Sequence, residues 1–172
     1  AATTALERAL VRADPGAASQ LRASGAAYRA RVGRADREIA ACLRRVPAGE
    51  RKIVTDHDAF GYLARRYGIG VVGAVIPSQT TRAQASAGDL AALERAIRRE
   101  RVRAVFPEAS VNADLAKRLA RDTGASSDHT LFGDTLGPRD GRGGTYLGMI
   151  GANAEELVQW MTGGAVRCRI TS

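Results

Sequence analysis

The chain predicts an α/β fold: a parallel four-stranded sheet flanked by helices and preceded by a long linking helix. Three observations carry this. From Lys52 onward, short β-branched runs alternate with amphipathic helical patterns, and Gly, Pro, Ser and Asp punctuate the joins. Ahead of them, one apolar stripe at helical spacing runs for about 30 residues without a break. Alternation of this kind winds right-handedly into a parallel sheet with helices on both faces.

Ala5 to Val11 reads as a first short helix, ended before Asp14-Pro15 because proline disfavours the helical region for the residue preceding it. A longer helix starts near Ala17. Its apolar positions Leu21, Tyr28, Val32, Ala35, Ile39, Cys42, Leu43 and Val46 step by three or four, with Arg29, Arg31, Arg34 and Arg37 mostly on other faces. Pro47 and Gly49 stop it. Residues 1–50 therefore read as a short helix plus a long rod, and residues 51–172 as the α/β unit.

Within that unit the strand candidates are Ile53–Thr55, Val71–Ile76, Ala104–Phe106 and roughly Asp128–Phe132. The helices between them are Phe60–Tyr67, Ala87–Glu100 and Asn112–Asp122, the second opened by a capping-box pattern of Ser86 with Asp89. Pro77 to Gly88 reads as a loop at the carboxyl end of the second strand, and Gly137 to Gly144 as another. The second is Gly-rich, but it lacks the Lys-Ser/Thr and the spacing of a phosphate loop. A last helix runs from about Tyr146 to Met161, with Met149, Ile150, Leu157, Val158 and Met161 as its buried stripe and Gly163-Gly164 as its stop. Val166–Ile170 is a candidate terminal strand.

Composition narrows the function classes. The 172 residues, 45% hydrophobic and 26% charged, make an ordinary globular chain long enough to bury a core. No apolar run reaches the roughly 20 residues of a membrane span, so no spanning segment is expected, and the amino terminus shows no signal or lipidation pattern. A formal charge of +8 and a pI near 10.4 raise nucleic acid as a partner. Yet the Arg residues are dispersed, as in Arg95, Arg98, Arg99 and Arg101, and only 5% of residues are aromatic, with Phe60, Tyr62 and Tyr67 reading as core or site wall. The charge reads as a solvated surface, with no nucleic-acid partner; an acidic membrane surface or partner stays open. Cys42 and Cys168 are too few and too far apart for a Cys-based zinc site. A disulfide and two buried thiols both fit them.

Three polar residues follow strand ends: His57 after the first, Glu108 after the third and Asp134 after the fourth. In a parallel sheet these lie on one edge, where ligands collect. A neutral imidazole with a carboxylate suits a borderline divalent ion such as zinc. His57 could instead cap the helix that follows it. Glu108 could hold the outer nitrogen of His57 and fix its tautomer, cap the Asn112 helix, or lie in solvent. Asp58 is placed as an N-cap, and His129 reads as structural or exposed. A catalytic reading makes His57 the general base of a hydrolase or transferase, oriented by Asp134 or Glu108. It lacks a nucleophile, because no Gly-x-Ser-x-Gly elbow occurs and neither Cys sits near His57. A third reading is a basic interaction module for acidic partners.

The run Val54-Thr55-Asp56-His57-Asp58-Ala59-Phe60-Gly61-Tyr62-Leu63-Ala64-Arg65-Arg66-Tyr67-Gly68 closely resembles the start of the carboxy-terminal lobe in zinc/manganese-binding solute-binding proteins of ABC importers. Asp14-Pro15 with Tyr28 resembles that family's long connecting helix, Phe106-Pro107-Glu108-Ala109-Ser110 its middle strand end, and Gly133-Asp134-Thr135-Leu136-Gly137 its last ligand loop. Tyr146 to Asn153 also matches. The resemblance implies one lobe of a two-lobe, non-enzymatic, extracytoplasmic receptor that passes zinc, or alternatively manganese, to an ABC permease. It implies that His57 and Asp134 are the two metal ligands of this lobe, that no residue is catalytic, and that the rod is a rigid spacer between lobes. The family's first ligand position can also be Glu, a variant associated with manganese, so His57 leans towards zinc. The family's amino-terminal lobe supplies two more His ligands, and no His precedes His57 here. An isolated lobe with that lobe absent is expected to bind zinc weakly.

Overall fold

The computed structural model describes residues 2–76, 85–110 and 112–171. Two helices lead the chain, α1 (Ala2–Ala13) and α2 (Ala18–Arg44), joined by a 3-10 turn over Pro15–Ala17 that Asp14 caps through Ala17 N at 3.2 Å. Proline sets the turn and the Asp side chain takes its free donor. At 1.5 Å per residue, the 27 residues of α2 make a rod of about 40 Å. Only its second half is buried, at Ala35, Ile39, Cys42 and Leu43, whereas Tyr28 is exposed and α1 buries nothing. The apolar stripe is continuous in sequence, but just one end of it meets the sheet unit. An Arg29–Glu7 ion pair ties α1 to the other end.

The sheet is parallel and three-stranded, in the order β2-β1-β3, with β1 at Lys52–His57, β2 at Gly70–Ile76 and β3 at Val105–Phe106. Five of the six β1 residues are buried because both of its faces are covered. Alternation sorts the side chains: Ile53 and Phe106 face a core shared with α2 and with α6 (Tyr146–Met161), while Val54 and Val105 face α4 (Ala87–Glu100) and α5 (Asp114–Thr123). The helix α3 (Gly61–Tyr67) joins β1 to β2 and closes on Gly68 at φ 69°, a left-handed position that favours glycine.

The expected fourth strand is not formed. Residues 126–131 lie parallel beside β3 but touch it through two isolated bridges, Ala104↔Ser126 and Glu108↔Leu131. Four residue steps on one side face five on the other, so the ladder slips by one residue and cannot run on. The slack places His129 in the core, its ring centroid 4.5 Å from Phe106 and stacked 4.9 Å from Trp160. Val166–Ile170 is likewise no strand. Its backbone is claimed by side chains: Ile170 N donates to Glu155 Oε1 at 2.7 Å, Thr171 N to Glu38 Oε2 at 2.8 Å, and Arg45 donates to Arg167 O at 2.9 Å. Cys42 and Cys168 are joined as a disulfide with Cα atoms 6.0 Å apart, which pins this tail to α2.

Smaller expectations divide. The capping box of Ser86 and Asp89 opens α4 as expected. Asp58 caps nothing, because α3 starts three residues later with Phe60 at its N-cap position. The loop assigned to residues 77–88 lies outside the described residues over 77–84, and Ala87 and Gly88 already belong to α4. The Gly-rich loop wraps an aromatic ring. Gly137 N donates to Gly143 O at 3.0 Å, and a Cβ on Gly143 would come within 2.7 Å of the Phe132 ring.

Reducing the Cys42–Cys168 bond, which closes a separation of 126 residues, is expected to cost about 2–5 kcal/mol of stability. Urea midpoints with and without dithiothreitol measure it; equal midpoints would show that the bond adds nothing. A second expectation concerns His129, whose ring nitrogens have no hydrogen-bond partner among the described residues. Burial pushes its pKa down from 6.5 to about 4. The folded state thus prefers the neutral ring, so this stabilisation is complete above about pH 6.5 and disappears as pH falls through about 4. His129→Phe should flatten the fall in urea midpoint between pH 7 and pH 4.

Candidate metal centre

Parallel strands bring their carboxyl ends to one rim, and the three polar residues expected there do meet. His57 ends β1, Glu108 lies two residues past β3, and Asp134 lies three past Leu131, the last residue bridged to the sheet. His57 Nδ1 is 2.8 Å from Glu108 Oε1, and the His57 backbone N–H donates to the same oxygen at 3.4 Å. On the other side of the ring, Nε2 is 3.6 Å from Asp134 Oδ2.

Behind this trio stands Asp56, whose Oδ2 accepts from Glu108 N at 2.7 Å. Asp56, His57 and Glu108 are buried, while the Asp134 side chain is 58% exposed. Burial raises the pKa of both inner carboxyl groups, opposed at Asp56 by the Glu108 N–H and at Glu108 by the His57 charge and hydrogen bonds. An ionised Glu108 can only accept. Against an ionised Glu108 this contact suits the His57 tautomer with its proton on Nδ1, which would leave the lone pair of Nε2 facing Asp134.

Nε2 and Asp134 Oδ2 border an open depression of about 400 Å³, lined also by Asp58, Ala59, Gly61, Tyr62 and Arg65. An adjoining hollow of about 370 Å³ is walled mainly by Phe60, Leu63, Phe132, Met149 and Ile150 and offers an ion little beyond Asp134 itself. Two donors bonded to one tetrahedral ion at about 2.0–2.2 Å sit roughly 3.3–3.6 Å apart. The observed separation fits that edge. Among the described residues no group of three or more His, Cys, Asp or Glu could enclose an ion, so the arrangement offers two donors and leaves the other positions to solvent or another donor.

The same geometry disfavours a hydrolase. Among the described residues no Ser, Thr or Cys lines the depression, and both cysteines are consumed by each other. A carboxylate lies on each side of the imidazole where a triad would need a hydroxyl or thiol on one. Two residues near the site, Asn153 and Gly133, lie in runs quoted above but have no role assigned to them there. Asn153 interrupts the apolar stripe of α6 between Ile150 and Leu157, and a polar side chain there needs a partner, which is a legible signal. Gly133 carries no such signal.

The chain matches the family of zinc-uptake complex component A, periplasmic, over residues 1–160. It is 31% identical over 160 residues to the zinc-binding protein TroA of Treponema pallidum, covering 90% of this chain and 51% of that protein. It is 27% identical over 154 residues to the iron-binding protein YfeA of Yersinia pestis (90% and 49%). It is 25% identical over 134 residues to the manganese ABC transporter substrate-binding lipoprotein PsaA of Streptococcus pneumoniae (78% and 43%). The solved structure of periplasmic TroA superposes with a TM-score of 0.82 at 28% identity, covering 92% of this chain and 58% of that one. The chain spans about half the length of these relatives. With a family match across nearly its whole length and a rim carrying the imidazole and carboxylate at ion-bridging distance, the chain belongs to the periplasmic zinc-uptake component A family of metal solute-binding proteins.

Proposed function

We propose that this chain is the carboxy-terminal metal-binding half of an extracytoplasmic receptor that captures a divalent cation, zinc ahead of manganese, and hands it to an ABC permease. One observation carries the reading: His57 Nε2 and Asp134 Oδ2 lie 3.6 Å apart, with the other imidazole nitrogen held by a buried Glu108. His57 and Asp134 are the ligands, and Glu108 steadies the ring and raises its basicity. Residues 1–50 form the connecting segment and residues 51–172 the metal-binding lobe, the ion being completed by donors from an amino-terminal lobe. Imidazole nitrogen favours zinc over manganese, which prefers oxygen. Names of relatives that bind zinc, iron or manganese support the metal class and not one metal. The protein turns nothing over.

Isothermal titration of this chain is expected to show weak, solvent-completed zinc binding, with manganese weaker still. Submicromolar zinc affinity in a monomer would contradict the two-donor reading. His57→Ala should remove the binding, and Asp134→Ala should weaken it strongly, leaving only the residual contact with His57. Glu108→Ala should weaken it about 10–100-fold, the usual effect of losing the group behind a ligating His. Its metal-free signature is a shift of the His57 ring nitrogen resonances, easily followed because the chain has only 2 His residues. An unshifted ring would mean that Glu108 does not orient it.

A further inference from the structure

The two donors of the rim are held very differently. His57 is gripped by Glu108, whereas the Asp134 carboxylate makes no hydrogen bond or ion pair with a described side chain other than His57. Its position must come from its backbone. Leu131 still pairs with the chain just past β3, donating to Pro107 O at 2.8 Å and accepting from Ala109 N at 2.9 Å. Beyond it the chain has no strand neighbour among the described residues. There Asn153 of α6 takes over: Phe132 N donates to Asn153 Oδ1 at 2.9 Å, and Asn153 Nδ2 donates to Phe132 O at 2.8 Å.

That pair uses one acceptor and one donor of a side chain only 1% exposed, and it satisfies both backbone groups of a single residue. The amide does for Phe132 what a neighbouring strand would do. It also fixes the direction in which the chain leaves for Asp134, two residues on. Gly133 lets that exit pass directly over the inner pair, because a Cβ there would overlap Glu108 Oε2 and lie 3.3 Å from Glu108 Cδ and 3.8 Å from His57 Cε1.

We propose that Asn153 is a positioning residue for cation capture: by pinning the Phe132 backbone it holds Asp134 at bridging distance from His57. The inference rests on the reading of His57 and Asp134 as ligands. Both hydrogen bonds of the Asn153 side chain go to the Phe132 backbone, so it acts through the main chain.

The test is zinc titration of the whole chain as wild type, Asn153→Ala, Asn153→Asp, Asp134→Ala and the Asn153→Ala/Asp134→Ala pair. The His57 ring resonances provide the readout, since they follow millimolar as well as tighter binding. Asn153→Ala should weaken zinc binding by about tenfold or more, with circular dichroism and the metal-free His57 resonances unchanged. In the Asp134→Ala background the same change should alter the residual binding less than about twofold, because the two residues act as one unit. Asn153→Asp keeps the acceptor for Phe132 N–H, loses the donor to Phe132 O, and should also bind more weakly than wild type. Wild-type affinity in Asn153→Ala, or an equal loss in both backgrounds, would overturn the proposal. So would failure of both Asn153 variants to fold, which would make the residue structural. Absence of zinc binding at His57 in the wild type would sink the ligand pair itself, and this inference with it.

Discussion

A buried carboxylate against a buried imidazole is the constraint around which this rim is built. Glu108 and His57 are almost wholly removed from water, and each alone would be an expensive polar group in the interior. Together they share one hydrogen bond of 2.8 Å, and Asp56 holds the Glu108 backbone at 2.7 Å. Breaking such a pair by removing one partner typically costs about 3–5 kcal/mol, because the other is left uncompensated. The arrangement is therefore rigid. It also fixes which face of the imidazole remains free. Satisfaction is incomplete at one atom, since Glu108 Oε2 has no partner among the described residues and faces the bare backbone of Gly133.

Everything else serves to bring a second donor to that free face without a fourth strand. The slip between 104–108 and 126–131 leaves the ladder too irregular to extend, so the segment is held by spaced devices. The Glu108↔Leu131 bridge restores register at the rim, the Asn153 amide carries the pairing one residue further, and the Phe132 ring is wrapped by the loop of Gly137 and Gly143. On the far side, the disulfide and the side-chain bonds to Ile170 and Thr171 fasten the tail across α2 and α6. The half of α2 that carries Ile39 and Leu43 is thereby locked to the sheet unit. Part of the basic character of the chain is absorbed locally, as Arg66 on Asp36, Arg103 on Glu50 and Arg142 on Glu155 show.

How much of this could be read in advance depends on whether the cause is local. The bounds of α4 and α6 were legible because periodicity, a cap and a stop lie in the same stretch. So were β1 and β2, and the convergence of His57, Glu108 and Asp134, which follows from parallel strands sharing one edge. Resemblance to a metal-receptor lobe supplied the family, and it is also the source of the proposed ligand pair. The fourth strand failed for a non-local reason, since a β-favourable run of the right length cannot reveal a one-residue register slip against β3. Val166–Ile170 failed likewise, its backbone groups taken by Glu155 and Glu38 from other helices. Asp58 was a plausible cap in sequence, but the helix starts later and leaves it at the mouth of the depression. The alternatives for Glu108 and for the cysteines could be narrowed only by distances.

The asymmetry of the two donors bears on how a receptor of this kind would both hold and release its cargo. On the proposed assignment, one ligand is buried and locked, and the other is exposed on a backbone tether. A cation meeting the fixed imidazole first loses part of its hydration shell to a site that needs no rearrangement. The carboxylate then adds charge neutralisation from a group still in contact with water. With two donors from this half, the ion keeps open coordination positions, which limits affinity but leaves a path for ligand exchange. A fully enclosed set on one rigid lobe would hold the metal more tightly and release it more slowly. On that assignment, dividing the ligands between a locked residue and a tethered one, with other positions left to outside donors, would make occupancy depend on what approaches the rim.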